Sequence, residues 1–320
     1  MTDALDRPTV RGVSPVSMGD ASGRMLFIGV STKGSSIMRL FPLWAGALGL
    51  DATIEGRDLP LGGEPQVYRN AVAEIRDKDD IRGALVTTHK VDVFRHARDL
   101  FSSFDRNALL CREVSSISKR GDNLVGHAKD PITAGLAMRR IFDDVGPRAV
   151  LCLGAGGAGT AISVYLLRQS SPPGRFVIVD RSGERIEDLR RVHTELGVNT
   201  EVEYVVNGDP VRNDALLESM EPGTFVINAT GMGKDTPGSP VTARATWPPR
   251  AVVWELNYRG ELDFLSHARA KAGDRDLELH DGWDYFLYGW SEVIAEVFGL
   301  EIGTARFEEM KRAAEAIRPP

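Results

Sequence analysis

The feature that most limits what this chain can fold into is a run of glycines set between a strand and a helix. AVLCL (149–153) leads directly into Gly154-Ala155-Gly156-Gly157-Ala158-Gly159, and TAISVYLLRQ follows with helical spacing. Glycines at such a turn let the backbone approach an anion closely, and the N–H groups and dipole of the next helix face it. A GxGxxG pattern alone says little. With a strand before it and a helix after it, it predicts the pyrophosphate turn of a dinucleotide-binding domain. Gly154, Ala155, Gly156, Gly157 and Ala158 are therefore candidate cofactor contacts.

The next apolar run, FVIVD (176–180), ends at Asp180. An acid roughly 20 residues past the last glycine can accept hydrogen bonds from adenosine ribose hydroxyls, which favours NAD. Arg181 and Arg185 stand close by, and either can hold a 2′-phosphate in a bidentate manner. NAD is the first expectation and NADP the alternative.

Further strands are expected at VEYVV (202–206), FVINAT (225–230) and VVWELNY (252–258). Continuous Val/Ile runs of this kind suit a parallel sheet covered by helices on both faces. Upstream, MLFIGV (25–30), ATIEGRDL (52–59) and GALVTTH (83–89) read as strands, with helical patterns over 37–48 and 65–78. VSSISKRGDNLVGHAKD reads as a hairpin with Gly121-Asp122-Asn123 at its turn. A helix is expected over 131–144, and the last 40 or so residues return to helix. The fold class is thus α/β, in two parts. An N-terminal α/β substrate domain (25–129) is completed by C-terminal helices (284–320). A doubly wound, Rossmann-like dinucleotide-binding domain (130–283) lies between. Residues 1–24 are polar with scattered Pro and Gly, lack the apolar stretch of a secretory signal, and read as a loose extension.

The rest of the composition excludes more than it assigns. The net charge of −6 comes from interspersed acids and bases, without the clustered basic face of a nucleic-acid binder. No stretch approaches the roughly 18 apolar residues needed to span a bilayer. Two distant cysteines, Cys111 and Cys152, give no disulfide or zinc framework and suit a reducing, cytoplasmic setting. The six histidines form no metal spacing, so no metal is expected. The expected partner is a small hydroxy-acid or polyol substrate, bound by a monomer or homodimer.

Taken together, the glycine loop, FVIVDRSGER, INATGMG and ELNYRG resemble the cofactor domain of the shikimate and quinate dehydrogenases. The resemblance implies that Asp180-Arg181-Ser182 stands where the family carries Asn-Arg-Ser/Thr against the adenosine end of the cofactor. It implies that Asn228-Ala229-Thr230, with Gly231, runs beside the cofactor, and that Asp281-Gly282 lies near the nicotinamide. The similarity extends over the N-terminal part. Gly29 to Gly49-Leu50-Asp51 has the family's length, which puts Ser35 on the first of two family serines and Ile37 on the second. The family's Asn-Val-Thr-x-Pro-x-Lys is represented by Leu85-Val86-Thr87-Thr88-His89-Lys90, and its Asn-Thr-Asp-Gly by Ala128-Lys129-Asp130-Pro131. By resemblance, Lys90 and Asp130 are the catalytic pair. Lys90 is the general acid/base, and its pKa is expected to be lowered by its cleft; Asp130 orients it.

Both asparagines that hold substrate hydroxyls in the family are lost, and the family's C-terminal glutamine is replaced within Tyr285-Phe286-Leu287-Tyr288-Gly289. Polar groups matched to a substrate hydroxyl discriminate strongly, so their loss implies an altered or relaxed substrate. Ser35, Thr87, Thr88, Tyr258 and Tyr285 are the candidate substrate contacts, with strand alternation allowing only one of the two threonines to face the cleft. Lys129, new relative to the family pattern, is either a charge for an acidic substrate or an exposed residue. Other readings remain open: a dehydrogenase of another cyclic polyol, or a non-catalytic NAD(P)-binding regulator.

Overall fold

The computed structural model describes residues 22–142, 146–197, 200–234 and 236–319. Two six-stranded sheets organise the chain. The first is built from β1 (Ser22–Gly29), β2 (Asp51–Asp58), β3 (Ile81–Val86), β4 (Ser103–Phe104), β5 (Ser116–Arg120) and β6 (Asn123–His127), in the order β2-β1-β3-β5-β6-β4. β1 pairs in parallel with β2 and β3; β5 then runs antiparallel to both β3 and β6. Two reversals bring β6 back into the direction of β1 and β3. Their carboxyl ends therefore lie along one edge, and the residues that follow these three strands meet there.

The second sheet is built from β7 (Ala149–Leu153), β8 (Arg175–Asp180), β9 (Val202–Val206), β10 (Phe225–Asn228), β11 (Val252–Glu255) and β12 (Glu278–His280). Its order, β12-β11-β10-β7-β8-β9, is parallel throughout. This is the doubly wound arrangement, whose strand order reverses between β7 and β10 and so opens a crevice above their carboxyl ends. β7 is buried along its whole length, as a strand covered on both faces should be.

The helices of the first part are α1 (Ile37–Leu48), α2 (Pro65–Asp77), α3 (Lys90–Ala97) and α4 (Arg106–Cys111); α5 (Asp130–Met138) leads into the second sheet. That sheet carries α6 (Gly157–Leu167), α7 (Gly183–Leu196), α8 (Pro210–Glu218), α9 (Asp263–Arg269) and α10 (Ala272–Arg275). The chain ends in α11 (Trp283–Phe298) and α12 (Thr304–Glu315). These last two helices bury Leu287, Trp290, Phe307 and Met310 with Trp44 of α1 and Met25 and Phe27 of β1. The Trp44 indole N–H donates to the Met310 carbonyl at 2.8 Å, which ties α1 to α12.

Three sequence expectations shift. The first strand starts at Ser22, so 22–24 belong to the sheet, while residues 1–21 of the expected extension lie outside the described residues. The helix expected over 131–144 ends at Met138, where hydrogen bonds tighten to Arg140 N–Ala137 O and Ile141 N–Met138 O and Phe142 turns onto Phe225. The segment after GALVTTH becomes helix α3 from Lys90, with Thr88 in left-handed backbone (φ +59°) as the corner.

Candidate active site at the junction of the two sheets

Lys90 opens α3 just beyond β3, and Asp130 opens α5 just beyond β6. Because β3 and β6 end on the same edge, the two side chains converge, and the Lys90 ammonium is hydrogen-bonded to Asp130 Oδ2. Their side chains are 21% and 15% exposed. An Asp beside a proline at a helix start usually caps the helix. Here Lys129 holds the cap position without a side-chain bond, and Asp130 turns to Lys90 instead.

The charge environment of Lys90 corrects one expectation. Burial alone would lower its pKa, but the charges of Asp130 and Glu113, with the hydrogen bond to Asp130, outweigh that and hold the ammonium above its ordinary value. Glu113 is a residue that sequence reading missed. It is 3% exposed. Its carboxyl is pushed up to about 8, mainly by burial, against the pull of Lys90 and with Asp130 adding to the rise. An isolated acid in CREVSS gives no signal of this; only the return of β5 beside Lys90, where Val114 N–H donates to the Lys90 carbonyl at 3.0 Å, brings it in.

The substrate-side candidates divide. Ser35 does not cap α1, since Ser36 holds that position; together with Ser36 it interacts with the Tyr258 hydroxyl, which reaches over from the segment after β11. The Tyr258 ring is tilted against both Phe286, with ring centroids 4.3 Å apart, and Trp283. Tyr285 packs edge-on against Trp254. Its hydroxyl is buried without a hydrogen-bond partner, in the field of Asp130 and Glu113. Thr87 is half-buried and Thr88 exposed. His89, next in the chain, is wholly buried, its Nε2 3.0 Å from the Leu59 carbonyl. Lys129 is neither exposed nor directed at a ligand: its ammonium lies 2.5 Å from Glu296. Ile37 and Ala128 are fully buried.

The glycine loop sits at the β7 end of the crevice. A Cβ on Gly159 would fall 2.0 Å from the Gly154 carbonyl oxygen, and one on Gly154 2.6 Å from the Ala229 carbonyl, so these two glycines are required by backbone packing. Gly156 and Gly157 differ. The nearest atoms to a Cβ there are Arg185 Nη1 at 3.9 Å and Glu113 Oε2 at 3.1 Å, and no side chain caps α6. An open cradle of this kind at an uncapped helix start fits a dinucleotide pyrophosphate.

Asp180 faces that loop. Its Oδ2 accepts from Ala155 N–H and its Oδ1 from Ser182 N–H, both at 2.8 Å, and it is 7% exposed. The carboxylate thus fixes the loop's shape from behind, while Arg181 and Arg185 lie exposed beside it, Arg185 Nη1 at 3.9 Å. The Ser182 hydroxyl accepts from Arg185 N–H. At the β10 end, Asn228 is buried and its Oδ1 accepts from both the N–H and the hydroxyl of Thr230. Its amide donates to Glu255 at 2.6 Å, and Gly231 turns away in left-handed backbone. Gly282, before α11, could carry no side chain: a Cβ would fall 1.9 Å from the Leu256 carbonyl. Glu113 links the glycine loop to the Lys90–Asp130 pair, since it interacts with both Lys90 and Asp130 and its Oε2 reaches within 3.1 Å of a Cβ position on Gly157. No helix among the described residues is long and apolar enough to cross a membrane.

No family model matches the chain. It is 31% identical over 130 residues to the shikimate dehydrogenase (NADP(+)) of Thermococcus kodakarensis, spanning 41% of this chain and 42% of that enzyme. To the enzyme of the same name from Symbiobacterium thermophilum it is 29% identical over 254 residues, covering 75% and 80% of the two chains. Among solved structures, quinate dehydrogenase from Corynebacterium glutamicum in complex with NAD superposes with a TM-score of 0.71 at 19% identity, covering 91% of this chain and 99% of that one. The ligand-free 5-ketofructose reductase of a Gluconobacter strain gives 0.68 at 20%, covering 92% and 99%. An α/β half with a mixed sheet, joined to a doubly wound parallel half with a glycine-rich first turn, defines a two-part Rossmann-type protein. Within that class, the chain is similar to shikimate dehydrogenases over three quarters of its length.

Proposed function

We propose that this protein is an NAD(P)-dependent dehydrogenase that interconverts a secondary alcohol and its ketone on an alicyclic hydroxy acid of the shikimate or quinate kind. The observation that carries this reading is the half-buried Lys90–Asp130 pair beyond a strand-end edge, linked through Glu113 to an open glycine cradle. When bound, the nicotinamide supplies hydride acceptance and return. Lys90 exchanges the hydroxyl proton and its positive charge stabilises the developing alkoxide. Asp130 keeps the ammonium oriented and takes a hydrogen bond from a neighbouring substrate hydroxyl. Ser35 and Tyr258, one from each side of the cleft, receive the substrate's carboxylate. Gly154, Ala155, Gly156, Gly157 and Ala158 hold the pyrophosphate; Asp180, Arg181, Ser182 and Arg185 flank the adenosine ribose; Asn228, Thr230, Gly231 and Gly282 border the nicotinamide end.

In this reading the first sheet with α11 and α12 is the substrate domain, and the second sheet is the cofactor domain. The enzyme acts as a monomer or homodimer in a reducing, cytoplasmic setting, for which two unpaired cysteines are the support. A second reading, a dehydrogenase of another cyclic polyol, is favoured by one feature. Ile37 and Ala128 have replaced polar residues of the family pattern, and both are fully buried. Steady-state NAD(P) reduction against shikimate, quinate, aminoshikimate and simple polyols, with both cofactors, separates the two. Turnover confined to cyclic acids supports the first reading, whereas turnover confined to neutral polyols replaces it with the second.

A further inference from the structure

Glu113 lies in the loop between α4 and β5 of the substrate-side half, yet it reaches the cofactor loop. Its Oε2 comes within 3.1 Å of the position a Cβ would take on Gly157, the first residue of α6. Its Oε1 is buried and has no hydrogen-bond partner. The groups that face it come from every element around it: Lys90 from α3, Asp130 from α5, Tyr285 from α11, Cys111 from α4 and the α6 N-terminus. Within this cluster there is one cation for two carboxyl groups, and Asp130 holds it through a direct hydrogen bond. Glu113 is left without a counter-charge partner of its own, and a buried carboxyl in that position favours its neutral form.

On the reading of α6 as the pyrophosphate site, a dinucleotide brings two further negative charges to the helix start that Glu113 touches. An ionised Glu113 opposes that arrival at close range and low dielectric, whereas a protonated one does not. We propose that Glu113 is a proton-linked gate on the cofactor site: the dinucleotide binds to the form in which Glu113 carries a proton, and binding above neutral pH takes up a proton there. The linkage has a definite sign. The free carboxyl sits at about 8, raised chiefly by burial. Cofactor charge stabilises the protonated form further, so affinity is constant below that pH and falls as pH rises through it.

The test is a titration of the full-length protein with ADP-ribose, which carries the pyrophosphate and lacks the nicotinamide, and with NADH, from pH 6.5 to 9.5. Wild-type Kd for both should rise about tenfold between pH 7 and pH 9, the one-proton limit. Calorimetry in two buffers of different ionisation heat should show proton uptake approaching one at pH 9. Glu113→Gln, which keeps the shape and removes the titration, should bind with a flat profile and should exceed wild type about tenfold in affinity at pH 9. Glu113→Ala is the second variant should the glutamine destabilise the fold. A flat wild-type profile, or the same slope retained in a folded Glu113 variant, overturns the gate while leaving the cofactor site in place. Absence of binding at every pH overturns the pyrophosphate reading and the gate with it.

Discussion

Replacing Lys90 tests the centre of the proposed chemistry, and two substitutions separate its charge from its proton. Lys90→Arg keeps a cation able to bond Asp130, but a guanidinium does not release its proton in a protein. Lys90→Met keeps the length and removes both. With side chains 21% and 15% exposed, the pair lies between surface and core. Breaking a fully buried pair costs 3–5 kcal/mol, so about 3 kcal/mol is expected for Lys90→Met. Lys90→Arg should lose less than about 1 kcal/mol. General acid–base catalysis contributes roughly 10²–10⁴-fold, and both variants should lose that much in kcat. Dinucleotide affinity at pH 7 should hold within about threefold. Urea unfolding, steady-state kinetics and NADH titration measure the three quantities. Turnover by Lys90→Arg within tenfold of wild type would refute a proton-transfer role and leave Lys90 as a charge that shapes the cleft.

Two further expectations concern the second sheet. Gly159→Ala, whose Cβ would meet the Gly154 carbonyl at 2.0 Å, should lower the melting temperature and abolish dinucleotide binding. Gly156→Ala, with 3.9 Å to its nearest neighbour, should fold as wild type and weaken only binding; calorimetry with NADH titration distinguishes them. His193, 3% exposed between the Tyr204 hydroxyl and Ser163 Oγ, has its pKa lowered to about 4 by burial. Its folded pKa lies below the unfolded value, so the stability it contributes is present above about 6.5 and is lost as pH falls towards 4. The loss amounts to about 3 kcal/mol at most, and His193→Gln should flatten that limb of the stability curve measured by urea unfolding from pH 7 to 4.

The reach of sequence reasoning differed from one element to the next for physical reasons. The first strands of the second sheet were readable because parallel strands buried on both faces are apolar along their middles, as AVLCL and FVIV are. β4 and β12 were not, being two and three residues long and pairing at the sheet edges. Lys90 and Asp130 were placed by resemblance to the family's motifs, but their meeting depends on β6 returning to the direction of β3. Asp180 was visible as an acid at a strand end; that its oxygens take up Ala155 and Ser182 N–H groups follows from the loop's path. Glu113 was beyond reach because nothing local distinguishes an acid buried by three other segments from one in water.

The return of α11 and α12 to the first sheet has a consequence for synthesis. Trp290, Val293, Phe307 and Met310 complete the core that Met25, Phe27 and Trp44 begin, so contacts there close loops of more than two hundred residues. The second sheet draws its strands from residues 149–280 and can assemble as soon as that stretch has left the ribosome. The half translated first therefore waits, with its Trp44 face uncovered, until the last helix arrives. A chain stalled before α11 and α12 would leave the apolar face around Met25, Phe27 and Trp44 uncovered on a molecule whose second sheet is already complete.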